Sequence, residues 1–147
     1  QGKGLMAYIS REDCAIAAAY ALANPYLHRE ILNINGPELI TIADLVRIGN
    51  EVTDNHVVYQ EVSDEEDYAI FDQMGVPRNT DGDFKKGSSA PFSSDGMVTF
   101  GKVIREGKMA THSRDLQILT GSRGITVRYL FEHADAYQIG ERHSVDD

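Results

Sequence analysis

Two groups of residues in this chain have the chemistry of a binding site. Tyr8 closes a short apolar run, Met6–Ile9, and Arg11 follows three residues later at the start of a helical pattern. In open α/β sheets, ligands sit beyond the carboxyl ends of strands, where a phenol and a guanidinium in these places would face them. Arg11 has a second reading, as an anchor of the strand–helix turn. The other group is Phe92, Met97 and Phe100, which flank a long loop. They suit the lining of an apolar pocket for an aromatic ligand, or a satellite core under the loop. Both groups are candidates for substrate binding, and no residue stands out as catalytic.

The remaining patterns have plainer readings. No Tyr-x-x-x-Lys pair and no Gly-x-Ser-x-Gly elbow occurs. Asp81-Gly82-Asp83 has a misplaced glycine for a calcium loop, and no glutamate closes it. His133 and His143 are too far apart for a helical ligand pair, so no metal site is expected. Asp13 reads as a helix-start carboxylate, His112 as a solvated residue with nothing to orient it, and Cys14 as an inert thiol in an apolar helix. Gly2-Lys3-Gly4-Leu5-Met6-Ala7 spells G-x-G-x-x-A, the dinucleotide fingerprint. A working fingerprint follows a strand and opens a helix, whereas this one precedes a strand, so it is not expected to hold a phosphate.

The elements that would position these residues alternate between strand and helix. Ser10-Arg11-Glu12-Asp13, Thr41-Ile42-Ala43-Asp44 and Ser63-Asp64-Glu65-Glu66 each place a carboxylate three residues after a hydroxyl, the pattern of a capping box. They predict helices from Arg11 to about Ala23, across Ile42–Val52, and from Asp64 to Gly75 with Tyr68, Phe71 and Met74 packed. Met6–Ile9, Glu30–Ile34 and His56–Val62 read as strands. Residues 76–94 read as a long loop. A helix over Asp95–Glu106 follows, then short helical pieces at Ser113–Leu119 and Thr126–Tyr137. The last of these has Val127, Leu130, Phe131 and Ala134 at helical spacing, and the tail beyond reads as frayed.

Composition narrows the class. The chain has 147 residues, 41% apolar and 25% charged, enough for one domain with a core. Its net charge of −9 argues against nucleic acid and anionic membranes as partners, and the one adjacent basic pair is Lys85–Lys86. The longest apolar run, Cys14–Ala23, is about half a membrane span. A single cysteine cannot form an internal disulfide, which makes a reducing, cytoplasmic setting the default. A chain that opens on Gln1, with no signal-peptide pattern, reads as an excised segment, the second half of a longer fold.

Three phrases carry a family resemblance. Gly2–Ala15, with Ala7-Tyr8-Ile9-Ser10-Arg11-Glu12-Asp13-Cys14-Ala15, resembles the G-x-x-x-x-V-S-R-x-D-x-A segment of the atypical short-chain dehydrogenase/reductases. Glu30–Leu45 is similar to their y-x-l-x-G-p-x-x-x-T-x-x-x-l, and Leu116–Leu130 to their closing segment, although Gly121-Ser122-Arg123-Gly124 stands where the family has prolines. The nearest group is the NmrA-like branch, which contains NAD(P)H-dependent quinone reductases and redox-sensing regulators. The resemblance implies an α/β fold: the C-terminal part of a Rossmann-like NAD(P)-binding fold over residues 1–62, a mostly helical substrate-side subdomain over 63–137, and a tail at 138–147. It also implies a missing N-terminal nucleotide-binding half as partner. NAD(P)H would then belong to the whole reductase and not be held tightly by this segment. The implied function is the acceptor-binding part of an oxidoreductase acting on a quinone or similar carbonyl compound, inactive in isolation. The alternative is a nucleotide-sensing regulator that binds a protein partner; a homo-oligomer through exposed strand edges is a further possibility.

Overall fold

Local capping explains most of the helices in the computed structural model, which describes residues 2–79 and 92–137. Helix α1 spans Arg11–Ala23, and its N-cap Ser10 accepts a hydrogen bond from the Asp13 amide. Helix α2, Ile42–Thr53, opens on a full capping box between Thr41 and Asp44. Helix α3, Asp64–Gln73, does the same with Ser63 and Glu66. Each cap satisfies amides that have no partner within the helix, and the acidic first turns offset the dipole. Helix α4 spans Ser94–Arg105 behind Ser93, α5 spans Asp115–Thr120, and α6 spans Val127–Glu132 behind Thr126. The expected helix over Thr126–Tyr137 breaks at His133 and resumes as a 3₁₀ turn at Ala134–Tyr137.

The strands differ from expectation. Strand β1 covers only Leu5–Met6 and pairs antiparallel with β2, Ile40–Thr41, a strand not foreseen from the sequence. Leu5 faces Thr41 and Met6 faces Ile40. Glu30–Ile34 and His56–Val62 form no strand, and the parallel sheet of a Rossmann-like unit is not formed among the described residues. A strand needs the backbone of a neighbour, and neither segment has one. Side chains hold them in place. The Asn33 amide donates to Asp115 Oδ2 at 2.8 Å, and the Asn33 carbonyl accepts from Ser113 Oγ. Val57 is clamped by Asn50, whose carbonyl accepts from the Val57 amide at 3.0 Å and whose amide donates to the Val57 carbonyl at 2.8 Å.

Packing runs in pairs: α2 against α6, α1 against α5, α3 against α4, and β1 against α4. Each pair contributes one or two buried apolar residues, including Ala17 of α1, Ile48 of α2, Ile104 of α4, Leu116 of α5 and Val127 of α6. Ile48, outside the face expected for α2, is its buried residue. Helix α3 buries none, and Met74 at its end is exposed. Two corrections follow. Cys14 lies on an exposed face of α1 rather than in an apolar interior, and Ala134 is exposed. The acidic end of α3 is tied to α4 by Arg105, 3.1 Å from Asp64.

Residues 80–91 and 138–147 lie outside the described residues, and with them most of the expected loop, the Asp81-Gly82-Asp83 and Lys85–Lys86 readings, His143 and the tail. No helix among the described residues is long and apolar enough to cross a membrane.

Candidate functional site

The exit of β1 turns sharply into α1, and this turn forms one wall of a cleft. Asp13 is the keystone. Its side chain is 5% exposed. It accepts from Ser10 Oγ at 2.8 Å and from the Ile125 amide at 2.8 Å. The helix-start reading of Asp13 therefore holds, with an addition: the carboxylate also ties α1 to the chain entering α6. The tie needs Gly124, where φ is 91° and a Cβ would lie 2.9 Å from Leu116 and 3.2 Å from the Asp13 carboxylate. Gly36 fixes the other side of the turn. A Cβ there would fall 1.6 Å from the Tyr8 carbonyl, so only glycine allows the two backbones this approach.

Opposite the turn lie α2 and α6. Together they enclose a cleft of about 490 Å³ between Tyr8, Ile9, Ser10 and Arg11 on one side and Leu45, Val127, Leu130, Phe131, Ala134 and Tyr137 on the other. The α2–α6 wall is held by Glu51, which pairs with Arg128 across the helices and with Arg47 at 2.8 Å on its own helix. Hydrogen bonds from Arg128 and then Arg47 hold the Glu51 carboxyl below its ordinary value. Burial raises the pKa of the Tyr8 phenol above its ordinary 10.0. Tyr137 is raised as well, first by burial and then by the Glu12 charge. Both phenols are therefore protonated at neutral pH; the Tyr137 hydroxyl is engaged by the Glu12 carboxylate, which leaves Tyr8 as the donor on the cleft. The Arg11 guanidinium has no ion-pair or hydrogen-bond partner among the described residues. The turn is anchored by Ser10 and Asp13 instead, which leaves Arg11 free at the cleft. The result is an apolar slot with one neutral donor, Tyr8, and one cation, Arg11.

Tyr8 and Arg11 thus meet in one cleft, while Phe92, Met97 and Phe100 do not line it. Phe92 packs edge-on against Phe71, with ring centroids 6.3 Å apart, as part of the α3–α4 pair. Met97 and Phe100 are about two-fifths exposed on α4, while Val98, Gly101 and Ile104 take its buried face. His112 lines a separate polar depression beside Asn35 and Arg123. His133 stacks on Tyr129 at 3.9 Å, and no cluster of three or more metal-ligating side chains occurs among the described residues. The sequence reading missed Leu45, Leu130, Phe131 and Tyr137 as cleft walls. The signal was present in the helical stripe of α6, but a stripe facing a core and one facing a cleft have the same spacing.

The residues of the G-x-G-x-x-A run do not fit a dinucleotide cradle. The run leads into β1 rather than from a strand into a helix. Gly4 is pressed against α4, where a Cβ would lie 2.1 Å from the Ile104 carbonyl. Its glycine serves backbone packing.

The three sequence phrases resemble the NmrA-like atypical short-chain dehydrogenase/reductases, and the chain is also similar in structure to solved reductases. Solved structures supply the particulars. The triphenylmethane reductase of Citrobacter sp., solved in a study of triphenylmethane dye bioremediation and also complexed with NADP(H), matches with a TM-score of 0.74 and 27% identity. The match covers 90% of this chain and 42% of that one. An NADPH-dependent quinone oxidoreductase from Escherichia coli shares the fold at a TM-score of 0.74 and 22% identity, over 91% of this chain and 44% of its own. The chain therefore spans less than half the length of these neighbours. No family model and no curated protein matches it.

Proposed function

We propose that this chain is the acceptor-binding part, C-terminal in the parent fold, of an NAD(P)H-dependent oxidoreductase acting on a quinone or similar carbonyl compound. The observation that carries this reading is the apolar slot in which Tyr8 and Arg11 face Leu45, Leu130, Phe131 and Tyr137. A flat aromatic acceptor gains most of its affinity from burying its rings against such walls. A carbonyl oxygen gains orientation from a neutral phenol, and Tyr8 supplies one. The guanidinium of Arg11 favours an acceptor whose oxygen gains negative charge as it is reduced. The structural likeness to two reductases, one complexed with NADP(H), supports the reaction class.

The nicotinamide cofactor would supply the reducing equivalents in the whole reductase. This chain's own residues would position the acceptor, exclude water and offer the phenolic proton of Tyr8. Alone, the chain has no reductase activity in this reading.

A direct test follows binding of a soluble naphthoquinone to the 147-residue chain by side-chain and amide chemical shifts. The expected result is saturable shifts at Tyr8, Leu130, Phe131 and Tyr137, weakened about tenfold in Phe131→Ala. Shifts confined to the Phe92–Phe100 face, or binding unchanged in both Tyr8→Ala and Phe131→Ala, would count against the cleft.

A further inference from the structure

Basic side chains are outnumbered in this chain, 14 against 23 carboxylates. Arg47, Arg78, Arg105 and Arg128 each meet a carboxylate. Arg114 and Arg123 meet none among the described residues, and both line the polar depression that also holds His112. The depression encloses about 390 Å³, with Asn35 and Gln117 in its lining and no Asp or Glu.

Local hydrogen bonds build this arrangement. The Ser113 amide donates to Asn35 Oδ1 at 3.1 Å, and the Nδ2 donor of the same Asn35 amide has no partner among the described residues. Asp115 is the carboxylate nearest to Arg114 in sequence. It accepts from the Asn33 amide at 2.8 Å instead and stays outside the lining. Helix α5 ends at Gly121, where a φ of 79° turns the chain back. The Ser122 amide then donates to Thr120 Oγ1 at 3.2 Å and the Gly124 amide to Ser122 Oγ at 3.1 Å, so the backbone is held on both sides of Arg123.

We propose that this depression is a binding site for a small phosphomonoester. A guanidinium donates two parallel hydrogen bonds to phosphate oxygens, and neither Arg114 nor Arg123 has to leave a carboxylate to do so. The donors reach the depression from three separate segments, at Asn35, at Arg114 with Gln117, and at Arg123. A tetrahedral dianion offers oxygens to all three, whereas a carboxylate offers two in one plane. Cations uncompensated in a concave, acid-free lining also raise the local concentration of anions around a chain of net charge −9. Leu116 and Pro37 in the same lining suit the organic part of the ester. The depression shares no residue with the Tyr8–Tyr137 cleft, so this inference does not depend on the acceptor reading.

The test titrates phenyl phosphate, inorganic phosphate and malonate into the 147-residue chain at constant ionic strength, followed by backbone and side-chain nitrogen shifts. Phenyl phosphate should give saturable shifts at Asn35 Nδ2, Gln117, Arg114 and Arg123, with a Kd of about 1 mM. Arg114→Gln and Arg123→Gln should each weaken it at least about tenfold, while Arg29→Gln, which removes an equal charge elsewhere, leaves it unchanged. Both arginines of the site are exposed, so their replacement spares the core. Equal binding of malonate would overturn the phosphate assignment, and binding of inorganic phosphate alone would overturn the ester. Tighter binding of a phosphoserine peptide than of phenyl phosphate would give the site to a protein partner instead. Affinity indifferent to Arg114→Gln and Arg123→Gln, or lost equally in Arg29→Gln, would show that there is no site.

Discussion

Asp13 shows how much one side chain can hold. Its buried carboxylate accepts hydrogen bonds from Ser10 and from Ile125, the latter 112 residues along the chain. Asp13→Ala strands the Ile125 amide and takes the acceptor from the buried Ser10 hydroxyl, so it should cost about 2–3 kcal/mol, read as a fall in urea midpoint at constant slope. A loss below about 0.5 kcal/mol would show that the tie is dispensable. The sequence placed Asp13 at a helix start because capping is local, and it brought Tyr8 and Arg11 forward because they end a strand-like run. It could not show that Arg11 is unpaired or that Asp13 reaches Ile125, since both depend on what folds back against the turn.

Among the elements, α2 joins the most: it carries Leu45 into the cleft, follows β2 directly, and is bridged to α6 through Glu51 and Arg128. Thr41→Ala removes its capping box and should cost about 1 kcal/mol in chemical denaturation. Acid should loosen the same helix. Asp44 is held below its ordinary 3.8 chiefly by Thr41, and Glu51 below its ordinary 4.5 chiefly by Arg128. A depressed carboxyl contributes stability that is fully present above its unfolded value and is lost as the pH falls through the lower folded value. Stability should therefore decline below about pH 4.5, and Glu51→Gln should flatten part of that decline; an unchanged pH profile in Glu51→Gln would show the bridge to be inert. Gly36→Ala tests the packing of the turn. Its Cβ would meet the Tyr8 carbonyl at 1.6 Å, so a loss of about 3 kcal/mol or failure to fold is expected, and a neutral result would contradict this packing. Helices α1 to α3 were legible in the sequence to within about two residues at their ends because a hydroxyl–carboxylate pair marks a helix start wherever it falls, and α4 was legible from its apolar spacing. The strands were not, because strand propensity reports only that a segment can pair.

For the molecule as a whole, the described residues form the Tyr8–Tyr137 cleft, which the proposed function assigns to an acceptor, and the G-x-G-x-x-A run does not fit a dinucleotide. Titration of the chain with NADPH or NADH should give no binding in the micromolar range and no quinone reduction; turnover by the isolated chain would refute the proposed division of labour. Sequence by itself determined the helices, the caps, the acidic surface and the three phrases that resemble the NmrA-like reductases, because each depends on residues close together in the chain. Only the tertiary structure decided that Glu30–Ile34 and His56–Val62 stay unpaired, that Ile40–Thr41 supplies the strand opposite Leu5–Met6, and that α6 closes on the Tyr8–Arg11 turn to make a cleft. Strand pairing and cleft walls join residues far apart in sequence, and their geometry is set by which backbones are present to meet.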